Sequence, residues 1–161
     1  MLPTSNYLRR SLLVNQRRQL PPAATPLAGE KSLEETLRAL GASRFSLWKL
    51  ASRYLPHVIR PGEHIGGVVY GRNDQDGAVM LVATDRRVIF LDKKPLFLNE
   101  DELTYGVVSG IKYSRAGFGC TVILHTRIKD FVVHTMNKKA ARNFMTYVEQ
   151  RRLETSPEDP L

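Results

Sequence analysis

The chain has 161 residues, 42% of them hydrophobic and 25% charged, which suits one globular domain with tails and excludes a fibrous or wholly disordered class. No apolar run approaches the ~18 residues a bilayer span needs, and the single cysteine, Cys120, excludes an intramolecular disulfide and any multi-cysteine metal site. The net charge of +8 is uneven: residues 1–29 carry Arg9, Arg10, Arg17 and Arg18 and no acid, 30–60 hold six basic and three acidic groups, and 61–135 hold nine of each.

Residues 1–29 form a basic extension containing Pro3, Pro21, Pro22 and Pro26. Its Leu and Arg positions do not separate into clean helical faces. A mobile tail, a segment that folds onto a partner, and an Arg-bearing transit peptide are the three readings it allows. No apolar stretch of the kind a secretory signal needs follows the N-terminus. The charge excess makes Arg9, Arg10, Arg17 and Arg18 candidate contacts to an anionic partner.

Residues 30–60 read as a helical pair that packs on the following domain. Ser32-Leu33-Glu34-Glu35 matches a capping box, Leu33, Leu37 and Leu40 share a helical face, and Gly41 supplies a stop. A second helix is expected from about Arg44 to Leu55, capped by Ser43 and ended by Pro56. Phe45, Trp48, Ala51 and Leu55 are its apolar stripe. Trp48, the only tryptophan, either docks this helix on the sheet or is a candidate interface aromatic.

Residues 61–153 form the main domain. Strands are expected at His64–Arg72, Ala78–Thr84, Arg86–Asp92, Leu96–Leu98, Val107–Tyr113, Thr121–Thr126 and Phe131–Thr135. The apolar runs on either side of Thr84-Asp85-Arg86 read as a hairpin buried on both faces. A helix over 137–153, capped by Asn137, presents Ala141, Phe144, Met145 and Val148. Residues 154–161 are polar and expected to fray. The fold class is mainly β with helices: a half-open barrel or sandwich of about seven antiparallel strands, a closing C-terminal helix and a preceding helical pair.

Four places carry a resemblance. Pro61-Gly62-Glu63 leads into the first strand, Ala83–Phe90 spans the central hairpin, Leu103-Thr104-Tyr105 with Val108 and Ile111 precedes the fifth strand, and Lys139–Val148 forms the closing helix. Over about residues 60–150 the chain resembles the bacterial pleckstrin-homology-like (PH-like) domains. The resemblance implies a barrel plugged by its helix, and binding without catalysis. Lipid-binding relatives place several cations between the first two strands; here Arg72-Asn73-Asp74-Gln75-Asp76-Gly77 offers one cation and two carboxylates. Inositol-phosphate recognition is therefore not expected there.

Lys93 and Lys94 in the next turn are candidate anionic-partner contacts or simply a solvated basic turn. Asp74-Gln75-Asp76-Gly77 resembles part of a calcium loop, but Arg72 stands where an oxygen ligand is required. His125 and His134 are expected to face each other across the last hairpin with Cys120 nearby. That pair lacks a third metal ligand, and Cys120 reads as a buried structural thiol. No catalytic, cofactor or metal residues are assigned.

Two functional classes remain. The preferred one is a non-enzymatic interaction module for a protein partner or a membrane surface, with self-association through the helices or a sheet edge. The alternative is RNA or other anionic-surface binding led by the N-terminal extension. The expected location is cytoplasmic, with a peripheral position at the membrane as the alternative.

Overall fold

The computed structural model describes residues 28–43 and 50–155. Two helices, α1 (Ala28–Ala39) and α2 (Leu50–Val58), precede seven strands. These are β1 (Ile65–Asn73), β2 (Gly77–Thr84), β3 (Arg87–Lys93), β4 (Leu98–Thr104), β5 (Val108–Ala116), β6 (Gly119–Thr126) and β7 (Asp130–Thr135). A 3-10 turn at Tyr105–Val107 joins β4 to β5, and α3 (Lys138–Thr155) closes the chain order. The strands form one antiparallel sheet in the order β4-β3-β2-β1-β7-β6-β5.

The sheet folds over where β1 meets β7. Those strands share one paired position, Arg72 opposite His134, so the sheet bends there into a β1–β4 layer and a β5–β7 layer. Gly71 makes the crossing possible: a Cβ at that position would sit 2.2 Å from the His134 carbonyl oxygen. Between the layers lie Val79, Leu81, Val88, Phe90, Val122, Leu124 and Val133, with Phe144 and Val148 of α3. Phe90 and Phe131 pack with tilted rings, 5.1 Å between centroids. The helix face expected from the sequence is the one buried, except that Met145 is half-buried and Ala140 joins it.

A second apolar cluster covers the outer face of the first layer. Leu37 of α1 and Ala51, Leu55 and Val58 of α2 pack on Val68, Met80, Val82, Ile89 and Leu91. Alternate residues of β2 and β3 thus enter different clusters, which is why both strands read as unbroken apolar runs.

The helix ends follow local chemistry. Gly41, at φ +99°, closes α1 in a Schellman motif, with the Gly41 N–H on the Arg38 carbonyl and the Ala42 N–H on the Leu37 carbonyl. Asn137 caps α3 by accepting the Ala140 N–H at 3.0 Å, and its side-chain amide donates to the Gly41 carbonyl.

Several boundaries differ from expectation. The helix α1 begins at Ala28, so Ser32 lies inside it, and Glu34 pairs forward with Arg38. Pro56 does not end α2: it lies inside Leu50–Val58, and beyond it Ile59 still donates to the Leu55 carbonyl at 3.1 Å. The start of that helix, with Phe45 and Trp48, lies outside the described residues. The fourth strand is Leu98–Thr104, not Leu96–Leu98. Asn99-Glu100-Asp101-Glu102 looks like a loop in sequence, yet it pairs with β3 as a charged edge strand. Glu154 and Thr155 continue α3 rather than fraying.

Candidate binding surface

The two motifs that carried the resemblance meet in one buried ionic cluster. Arg87 donates from Nε to Glu63 Oε1 at 2.8 Å and from Nη2 to Glu63 Oε2 at 3.0 Å. The same Nη2 donates to the Val58 carbonyl at 2.9 Å, at the end of α2. Thr84 Oγ1 and the Arg60 N–H complete the shell of Glu63, at 2.7 Å and 2.8 Å. Glu102 of β4 contacts Arg87 Nη1 and accepts from Arg60 at 2.9 Å.

Burial opposes ionisation of Glu63, but the bonds from Arg87, Arg60 and Thr84 outweigh it and bring the carboxyl down to about 2. The Glu63 hydrogen bond raises Arg87 in turn. Asp85 accepts the His64 N–H at 3.0 Å, which lowers its carboxyl. Tyr105 donates to the Thr84 carbonyl, and burial raises its hydroxyl. Apart from Arg87 Nη1, which meets Glu102 as an ion pair without a hydrogen bond, the groups of this cluster are bonded within the fold. Its role is to fix the β2–β3 turn against β1 and α2.

The histidines are apart. His125 stands opposite Asp130 and His134 opposite Thr121 in the β6–β7 register, so they do not face each other. The connection at 127–129 sets that register, and the sequence did not reveal it. His125 contacts Asp130 at 3.0 Å; His134 bonds Thr121 at 2.8 Å and lies 3.8 Å from Asp74. Cys120 is buried with its thiol directed at the Thr135 carbonyl, 3.6 Å away. Among the described residues no three His, Cys, Asp or Glu gather as a metal site. The Asp74–Gly77 stretch is an Asx turn, Asn73 Oδ1 accepting the Gln75 N–H at 2.6 Å, with Gly77 at φ +81°.

Of the anionic-partner candidates, Arg9, Arg10, Arg17 and Arg18 lie outside the described residues, as does Trp48. Lys93 reaches over the Tyr54 ring at 5.7 Å, and Lys94 pairs with Asp92 at 3.2 Å. Both lysines are thus partly engaged within the domain.

Two features escaped the sequence reading. The first is exposed apolar surface. Leu96, Phe97 and Leu98 project at the β3–β4 turn, Phe118 at the β5–β6 turn, Ile128 at the β6–β7 turn and Met136 ahead of α3. Phe118 is 88% exposed and Leu96 86%. The second is a division of charge between layers. Residues 61–102, which build the β1–β4 layer, hold eight carboxylates and five cations; residues 103–148 hold seven cations and one carboxylate, Asp130. Taken as one neutral block, residues 61–135 hide this asymmetry. The signal was present in the sequence, but it appears only when the count is split between the stretches that build the two layers.

No helix among the described residues is long and apolar enough to cross a membrane. A family model described as "Bacterial PH domain" matches residues 59–150. No curated protein matches the chain. Solved structures similar to it include a pleckstrin homology domain from Shewanella amazonensis SB2B, at 16% identity and a TM-score of 0.46, covering 66% of this chain and 98% of that one. The Vps36 N-terminal PH domain is similar at 19% identity and a TM-score of 0.42, covering 60% and 83%. A DUF1696 family protein with a pleckstrin-homology domain from Shewanella loihica PV-4 is similar at 14% identity and a TM-score of 0.37, covering 65% and 90%.

Proposed function

Because the chain belongs to the bacterial PH domain family, we propose that it is a non-enzymatic interaction module that docks onto a protein partner or a membrane surface. One observation carries the reading. Six of the seven large apolar side chains exposed among the described residues sit at strand ends and connections around the rim of the sandwich. Three of them, Leu96, Phe97 and Leu98, are consecutive, and such a contiguous apolar stretch suits a surface that is covered on binding. The ionisable side chains with shifted proton affinity support the same reading, since those of the Glu63–Arg87 cluster are used in holding the fold.

The test compares the full chain with a chain lacking residues 1–27, using anionic vesicles and single-stranded RNA at low and high salt. Retained vesicle binding, or capture of one partner that both forms share, places the activity in the domain. Loss of all binding with the tail favours the alternative: RNA or anionic-surface binding led by Arg9, Arg10, Arg17 and Arg18, with a steep salt dependence.

A further inference from the structure

We propose that the free edge of β4 on one copy of this chain pairs with the free edge of β5 on a second copy, extending the sheet across the contact; this rests on the protein-partner half of the reading above and names the partner. The strand order leaves these two as the terminal strands of the seven-stranded sheet. Strand β4 pairs with β3 alone and β5 with β6 alone, so each presents one side of its backbone without a ladder. Among the described residues no backbone hydrogen bond outside those ladders reaches 99–104 or 109–116.

The two edges are opposite in charge. Strand β4 holds Glu100, Asp101 and Glu102 and no cation; β5 holds Lys112 and Arg115 and no carboxylate. Glu102 and Asp101 are paired within the domain, with Arg60 and Lys129. None of the ion pairs among the described residues uses Glu100, Lys112 or Arg115. Unpaired cations occur elsewhere on the surface; these two lie on the strand whose backbone is open. Like charge along each edge disfavours β4 against β4 and β5 against β5. Only β4 against β5 sets unlike charges opposite one another.

The side chains select the register. Leu103 of β4 belongs to the interlayer core, and Ile111 and Tyr113 of β5 pack against that core. By alternation Glu100 and Leu98 stand on the outer face of β4, and Lys112 and Ser114 on the outer face of β5. A sheet that keeps its two faces across the contact must match outer residues with outer ones. An antiparallel register with Glu100 opposite Lys112 does so, and it sets Leu98 opposite Ser114 and Phe97 opposite Arg115. Phe97 is 71% exposed, so its ring is open to a guanidinium. Leu96 then meets Ala116 beside Phe118, and apolar tips exposed in one copy cover one another. One strand pair is a small contact, which makes the association weak and dependent on concentration.

The test reads the mass of the full chain by sedimentation equilibrium, from about 5 to about 200 μM and at about 50 mM salt, where charge pairs are little screened. The parent is expected to pass from one copy to two or more as its concentration rises. Glu100→Lys and, separately, Lys112→Glu are each expected to weaken this association about fivefold or more, because each sets like charges opposite one another. The chain carrying both exchanges restores the pair and is expected to associate like the parent, a recovery that damage to the fold would not give. The Tm of each variant is measured alongside. Leu98→Cys with Ser114→Cys is expected to give a reducible cross-link between copies under mild oxidation, faster than either cysteine alone, while the parent's buried Cys120 gives none.

A parent that remains a single copy up to about 200 μM overturns the proposal and leaves the reading above standing, with a different protein or a membrane as the partner. An associating parent whose single exchanges associate equally well also overturns it, because the contact then lies elsewhere on the chain. So does a double exchange that fails to recover what the single ones lose while its Tm matches theirs.

Discussion

Substituting Glu63 by Gln probes the cluster that joins α2, β1 and the β2–β3 turn. The carboxyl of Glu63 sits at about 2 in the fold against the usual 4.5. A folded value below the unfolded one means that the ionised form favours folding. The contribution is complete above about pH 4.5 and is lost as the pH falls toward 2. That gap corresponds to about 3 kcal/mol. The amide keeps an acceptor for Thr84 but turns an N–H toward Arg87, and it leaves a buried guanidinium with only Glu102 as counter-charge. Glu63→Gln should therefore cost about 3 kcal/mol at neutral pH. Urea denaturation across a pH series down to about 2.5 measures both quantities. The parent's advantage should be constant from pH 7 to about 5 and then shrink steadily as Glu63 takes up its proton. A parent and variant whose stabilities stay parallel through the acid range would refute the reasoning, because the carboxylate would then not be held by these bonds.

Two further changes test the joints of the fold. Gly71→Ala drives a Cβ into the His134 carbonyl at 2.2 Å, a backbone atom that cannot turn away. It is expected to cost about 3 kcal/mol or more, seen as a lowered Tm or a failure to accumulate folded protein. Asn137→Ala removes the cap on Ala140 and the bond to the Gly41 carbonyl. A loss of about 1–2 kcal/mol is expected, with faster hydrogen exchange confined to the first turn of α3 and the end of α1.

What the sequence disclosed was set by how local the determining physics is. Gly41 and Asn137 act within a few residues, and both ends were legible. The strands β2 and β3 announced themselves because each is buried on both faces. The strand β4 did not, because its Asn99–Glu102 run pairs only along a solvated edge. Leu96 and Phe97 read as strand residues in sequence because apolar residues are usually buried, and nothing nearby distinguishes a projecting tip from a core position. Glu63 reads in sequence as the lead-in to the first strand and Arg87 as a residue of the third, but their pairing spans 24 positions and needs the fold to exist. The histidine register depended on one short connection. The charge of the β5–β7 layer was legible in principle, once the stretches that build the two layers were known.

The double burial of β2 and β3 has a consequence for how this domain can be moved between proteins. These two strands are a wall with an interior on each side. A fragment cut at residue 59, where the family match begins, would turn the outward row of that wall, Met80, Val82, Ile89 and Leu91, with Val68 of β1, toward water. It would also strip Arg87 of the Val58 carbonyl. The unit that genetic rearrangement must carry is therefore wider than the family's own footprint: the helices travel with the sheet, or the sheet finds another cover.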